Sequence, residues 1–235
     1  MRPEVKLAAT LLFVIAVVAT PREAFWAFGA HAALVVVAAA AGRLPPGFVL
    51  RRLLIEAPFL LFAVFLPFVG RGERLEVIGL SLSREGLWAA WNILAKATLG
   101  AAASVILAST TRVPDILKGF ARLRFPRVLT AMMGFMVRYL DVVIGELGRM
   151  RIALRSRAYR PRWIGEARAL ASVAGTLFVR SYERGERVYL AMQARGFQGV
   201  MPELEAAAAP AAQWLAAAAV VALAAGVTAL GWALR

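Results

Sequence analysis

The chain has no cysteine and a single histidine, His31, among its 235 residues. Without cysteine there is no disulfide framework and no thiolate metal site, and one imidazole cannot build a histidine cage. Lysine is scarce as well: Lys6, Lys96 and Lys118 are the three, and none follows a glycine. The phosphate loop GxxxxGK(S/T) is therefore missing, and neither HExxH nor a serine–histidine–acid set occurs. No catalytic residue, metal-ligand set or cofactor is expected. Acidic residues are few, 14 against 28 basic, for a net charge of +14. What the chain does have is apolar surface: 61% of it is hydrophobic and its mean hydropathy is +0.69. Soluble domains carry about 45–50% apolar residues, so this composition belongs to a polytopic membrane protein embedded in a lipid bilayer. Net positive charge can also mark a nucleic-acid binder. Here the arginines fall between apolar segments and on one polar block, without the interleaved aromatics of single-strand binders, so nucleic acid is not an expected partner.

Five apolar runs stand out, residues 5–19, 24–41, 53–69, 87–109 and 211–234. Runs of about 20 residues match a hydrocarbon core about 30 Å thick. The first could be read as a signal peptide, but further spans follow at once, which favours an uncleaved helix. Pro58 and Pro67 are positioned to kink the third. The loop 70–86 holds three arginines and three glutamates, which cancel. Segment 110–210 holds seventeen of the twenty-eight basic residues, and Arg43, Arg51 and Arg52 follow the second run. If spans alternate, both lie on one side, the cytoplasmic one, with the amino terminus. The carboxyl terminus is then external, unless residues 129–144 also enter the bilayer. The expected fold is all-α: a membrane bundle of about five spans, with four in residues 1–110 and a last helix in 211–235. Between them, residues 111–210 form a cytoplasmic block of amphipathic helices, 114–124, 126–157 and 166–195.

In the last of these, Phe178, Tyr182, Gly185, Tyr189 and Met192 share one face, and Arg184, Val188, Ala191 and Arg195 another. Glu183 precedes Arg187 by four residues, the favourable order for an ion pair. Gly196 suits the left-handed turn that ends a helix. Arg195 thus projects from a last turn between Ala194 and Gly196, small neighbours that let another surface reach a guanidinium whose planar fork suits a carboxylate. An arginine there also answers the helix dipole, so one occurrence says little. A second exists: Ser156-Arg157-Ala158 closes the preceding helix, with Arg155 a competing candidate for contact. Two basic tips on one block read as a docking device for an acidic partner. Elsewhere His31 reads as a structural residue bonded to a neighbouring helix. Glu56 and Asp141 read as interfacial ion pairs, with a transport role as the alternative, and Lys96 as a further ionisable group near membrane depth. Ala97, Ala101 and the pair Gly100 and Ser104 permit close helix approach. Met132, Met133 and Met136 offer a soft contact surface or ordinary packing.

The paired tips, and above all RSYERGERVYLAMQARGFQG, resemble the transmembrane T component of energy-coupling factor transporters, in particular its cobalt-type CbiQ members. The likeness covers nearly the whole chain in layout, and its specific part is residues 149–199. It implies a non-catalytic, multi-pass subunit of a bacterial or archaeal cell membrane. Such a subunit joins a substrate-binding membrane S component to two cytoplasmic ATPase subunits, and the amphipathic helices act as a coupling module. Carried over by position, the docking residues are Ala194, Arg195 and Gly196, which match the family motif, and Ser156, Arg157 and Ala158, where serine and alanine depart from it but stay small. Cobalt is the implied cargo, with nickel or a vitamin as alternatives and a stand-alone secondary transporter as the rival of another class.

Overall fold

The computed structural model describes residues 1–69, 74–77, 80–157, 159, 167–198 and 209–234. It is an all-α bundle, as expected, apart from one short hairpin: α1 (Pro3–Ala19), α2 (Phe25–Ala41), α3 (Pro46–Leu53), α4 (Ala57–Val69), β1 (Arg74–Val77), β2 (Leu80–Ser83), α5 (Arg84–Thr110), α6 (Val113–Arg122), α7 (Arg127–Ser156), α8 (Ala167–Ala194) and α9 (Ala211–Ala233). Prolines open α1, α3 and α6 at the first positions, where a missing N–H costs nothing. Ser83 caps α5, its hydroxyl accepting from the Gly86 N–H at 3.2 Å. Between α3 and α4 lies a 3₁₀ turn, Leu54–Glu56. Pro58 cannot donate to the Leu54 carbonyl four residues back, and the Ala57 N–H takes that oxygen instead, tightening the turn.

Among the described residues four segments are long and apolar enough to cross a membrane: Pro46–Val69, Arg84–Thr110, Arg127–Ser156 and Ala211–Ala233. The chain divides into two compact units, Met1–Leu123 with Ala208–Arg235, and Arg124–Ala207. In the first unit the long helices alternate in direction. Arg2 bonds Gln213, Lys6 bonds the Thr110 carbonyl, and Gly42 lies against Thr110, which fixes one end of the bundle. At the other end Trp232 bonds Ala19, Phe25 meets Trp88 and Trp91, and Gly86 abuts Leu66. So α1, α3–α4 and α9 run one way and α2 and α5 return. Phe13, Ala16, Val17, Phe28, Leu99, Ala103 and Ala224 form the core where α1, α2, α5 and α9 meet. His31 is fully buried there; its Nδ1 lies 2.6 Å from the Ala27 carbonyl oxygen and its Nε2 3.4 Å from the Thr228 hydroxyl of α9.

At 17 residues α1 is short, about 26 Å at 1.5 Å per residue, and it ends inside the bundle. Its last four carbonyls have no partner within the helix, a serious cost where lipid replaces water. Each finds a donor nearby. Thr228 and Thr20 hydroxyls serve Ala16, the Thr20 N–H serves Val17, the Lys96 ammonium serves Val18 at 2.7 Å, and the Trp232 indole serves Ala19 at 2.9 Å. Lys96 is thus a cap for another helix. Lys96→Met should cost about 1–3 kcal/mol by orphaning the Val18 carbonyl, and Lys96→Gln, which keeps a donor, should lose less; thermal unfolding in detergent reads both.

Two sequence expectations need correcting here. Among the described residues Glu56 forms no ion pair: it is buried beside Thr98, and its Oε1 has no hydrogen-bond partner there. The loop 70–86 contains the β1–β2 hairpin, paired Arg74 to Ser83 and Val77 to Leu80.

Candidate docking site

The second unit is built on α7 and α8. Glu146 of α7 is the one buried residue among the described side chains of these helices. Its Oε1 accepts from Arg180 at 2.9 Å and its Oε2 from Arg184 at 2.8 Å, both on α8. Phe135, Tyr139 and Val143 on one side, and Arg184, Val188, Tyr189 and Met192 on the other, line a cavity of about 310 Å³. Residue numbers rise along one helix as they fall along the other, so the pair is antiparallel. The intrahelical pair expected of Glu183 and Arg187 is not among the ion pairs of the described residues; the carboxylate that matters lies on the facing helix.

Glu146 stands two residues beyond the apolar stretch 129–144. Glu146→Gln should lose much of the α7–α8 pairing by removing the charge that both arginines meet, and distances between spin labels on α7 and α8 check this.

Both helices end in the same way. On α8 the Phe197 N–H reaches back to the Met192 carbonyl at 3.0 Å and the Gly196 N–H to Gln193 at 2.9 Å, with Gly196 at φ +81°. This is a Schellman closure, in which only a residue tolerant of positive φ sits comfortably after the cap. On α7 the Tyr159 N–H reaches the Leu154 carbonyl at 3.1 Å, the same long return bond. Arg157 and Arg195 therefore hold the same place, the cap residue of the closure. Ser156 ends α7 with its hydroxyl on the Ile152 carbonyl, and Ala194 ends α8. Ala158 lies outside the described residues. Both arginines are exposed, and no ion pair of either guanidinium occurs among the described residues. Arg155 corresponds to Gln193, whereas Arg157 corresponds to Arg195.

The correspondence runs further than the tips. At an offset of 38 residues Ile152 matches Leu190, Ala153 matches Ala191, Leu154 matches Met192, Tyr159 matches Phe197, and Glu146 matches Arg184. The ion pair thus joins equivalent positions of two antiparallel helices, the contact through which an approximate two-fold axis must pass. Eleven residues separate it from either arginine, arms of about 16 Å each at 1.5 Å per residue. Sequence reading alone found the tips but not this symmetry, which becomes legible only after the helix ends are aligned.

Among the other candidates, a Cβ on Gly100 would meet nothing within 4 Å among the described residues, Ser104 is exposed with its hydroxyl folded onto the Gly100 carbonyl, and Ala97 and Ala101 are half-buried. Asp141, Met132 and Met136 are exposed.

Residues 1–205 match a family model described as CbiQ, cobalt transport protein. A cobalt transport protein CbiQ of Rhodobacter capsulatus is 30% identical over 126 residues, 52% of this chain and 50% of that one. A putative fused cobalt transport protein CbiMQ of Methanocorpusculum labreanum is 26% identical over 156 residues, 63% and 26% respectively. An uncharacterized protein of Methanocaldococcus jannaschii is 28% identical over 116 residues, 49% and 43%. The matched stretches span between a quarter and a half of these relatives' own lengths.

Proposed function

The chain belongs to the CbiQ cobalt transport protein family, a multi-pass protein of the cell membrane, and from that premise we propose that it is the coupling subunit of an ATP-driven importer. In this reading its cargo is cobalt, the ion in its relatives' names. Its partners are two cytoplasmic ATPase subunits and a substrate-binding membrane subunit. The relative in which CbiM and CbiQ are fused supports the last of these.

The observation that carries the reading is the pair of equivalent arginine caps at opposite ends of α7 and α8. The two cations lie on arms of about 16 Å that run in opposite directions from the Glu146–Arg184 contact. They suit two copies of a similar acidic groove on two subunits. Closing of the ATPases on nucleotide would change the separation of those grooves. The α7–α8 pair, held at its crossing by Glu146, would turn as a stiff lever, and the chain carries the displacement into the membrane unit at α6. The end of the bundle bearing Arg2, Lys6, Arg43, Arg51, Arg52 and Arg112 is cytoplasmic by the positive-inside rule.

A broken helix and a buried Glu56 in the membrane unit favour a second reading, a stand-alone secondary transporter. Reconstituted vesicles separate the two. The coupling reading expects cobalt uptake only when the ATPases, the substrate-binding subunit and ATP are supplied together. Uptake by this chain alone would establish the rival.

A further inference from the structure

The surface beside each arginine is repeated along with it. One helical turn or so before the cap stands a large aliphatic residue left bare, Ile152 on α7 at 64% exposure and Leu190 on α8 at 62%. Between it and the arginine lie two small exposed residues, Ala153 and Ser156 on one helix, Ala191 and Ala194 on the other. At about 100° per residue these positions follow one another around roughly 140° of the helix surface. Each tip is therefore a notch, with an aliphatic knob on one side, a flat floor of small side chains, and a guanidinium on the other side.

Resting on the coupling reading, we propose that Ile152 and Leu190 are the second anchors of ATPase docking. Each knob fills an apolar depression in the partner while the adjacent arginine meets a carboxylate of that same partner. The partner's groove must then combine an acidic residue with an apolar wall about one helix diameter away. Because the two notches match, both ATPase subunits present the same groove. A bare aliphatic side chain in the aqueous phase is costly to leave uncovered, and its burial contributes most where neighbours are small enough for close approach. A lipid surface is a poorer occupant. Glu186 is exposed one turn before Leu190, and a carboxylate there opposes an anionic headgroup. The exposed apolar stripe of α8, formed by Phe178, Tyr182 and Tyr189, lies about 100° around the helix from Leu190, so the notch is not part of an interfacial face.

The test uses the full chain in nanodiscs and the ATPase subunits that co-purify with it. Leu190→Ser should weaken their binding on the order of tenfold, Leu190→Met should restore it, and Ile152→Ser should match Leu190→Ser in size. Because both side chains are exposed, thermal unfolding of the variants should not change, which separates docking from a structural role. If Arg195→Glu abolishes binding while Leu190→Ser leaves it intact, the anchor proposal fails and the coupling reading stands. If Arg195→Glu also binds normally, both fail. If the serine variants lose affinity for anionic phosphatidylglycerol vesicles and keep it for the ATPases, the notch is a lipid site and the proposal is overturned.

Discussion

On the coupling reading, Arg195→Glu should strip the ATPase subunits from the chain in a mild-detergent pull-down, while membrane insertion and thermal stability of the chain should be unchanged. The second half of that expectation comes from how α8 ends. Its closure is made by backbone bonds from Gly196 and Phe197 and by the positive φ of Gly196, none of which uses the Arg195 side chain. The guanidinium has no ion pair to lose among the described residues, and a glutamate at a helix carboxyl end costs about 0.3–1 kcal/mol against the dipole. The first half comes from the interface. Removing one member of a buried, hydrogen-bonded charge pair costs about 2–5 kcal/mol, and at 1.4 kcal/mol per decade that is roughly thirty- to several-thousand-fold in affinity. Reversal adds repulsion between two carboxylates. Arg157→Glu should behave alike, because the two residues hold the same cap position on arms of the same length. Arg155→Glu should do little, since its counterpart on α8 is Gln193. Normal assembly of the Arg195→Glu variant would defeat the docking reading, and a large loss from Arg155→Glu would move the α7 contact two residues upstream.

Much of this molecule can be read from its apolar runs, and the exceptions have physical causes. The third span begins earlier than its oily stretch, at Pro46, because Pro45-Pro46 resembles a loop while proline at the first position is a good helix start. The β1–β2 hairpin hides among charges that cancel; its cue is the alternation Leu75-Glu76-Val77 and Leu80-Ser81-Leu82, a period of two that a scan for spans ignores. Glu56 departs from the sequence expectation because Arg51 and Arg52 are close in sequence but the 3₁₀ turn Leu54–Glu56 sets it against Thr98 of α5. Tip arginines are legible because small flanking residues at a helix end make a local pattern. The Glu146 clamp is not, since nothing on α7 alone says which carboxylate faces two arginines thirty-odd residues away.

Arg122→Met should uncouple transport from ATPase docking, leaving the subunits bound but uptake lost. Arg122 closes α6, the last element of the membrane unit before the chain enters α7, and its Nη1 donates to Glu4 Oε1 of α1 at 2.8 Å. Glu4 is buried at 3% exposure, and its other oxygen has no hydrogen-bond partner among the described residues. Once the arginine is gone, a bare carboxylate remains in a desolvated site, at a cost of about 3–5 kcal/mol. The surrounding contact cannot absorb that, because α6 lies tight on α1: a Cβ on Gly119 would sit 2.5 Å from Leu7 and 3.2 Å from the Glu4 nitrogen. The expected response is that α6 lifts from α1 and, on the coupling reading, that displacement of α7 and α8 no longer reaches the bundle. Cross-linking between cysteines introduced at exposed positions of α1 and α6, away from the tight contact at Gly119, reads the lift, cobalt uptake reads the coupling, and pull-down reads the docking. Glu4→Gln combined with Arg122→Met should recover most of the stability, since a neutral amide is far cheaper to bury than an unpaired charge. Uptake should return in the double variant only as far as the cross-link does, which ties transport to the seating of α6 and not to the ion pair itself. Full uptake in the single variant with α6 displaced would mean that force enters the membrane unit by another route.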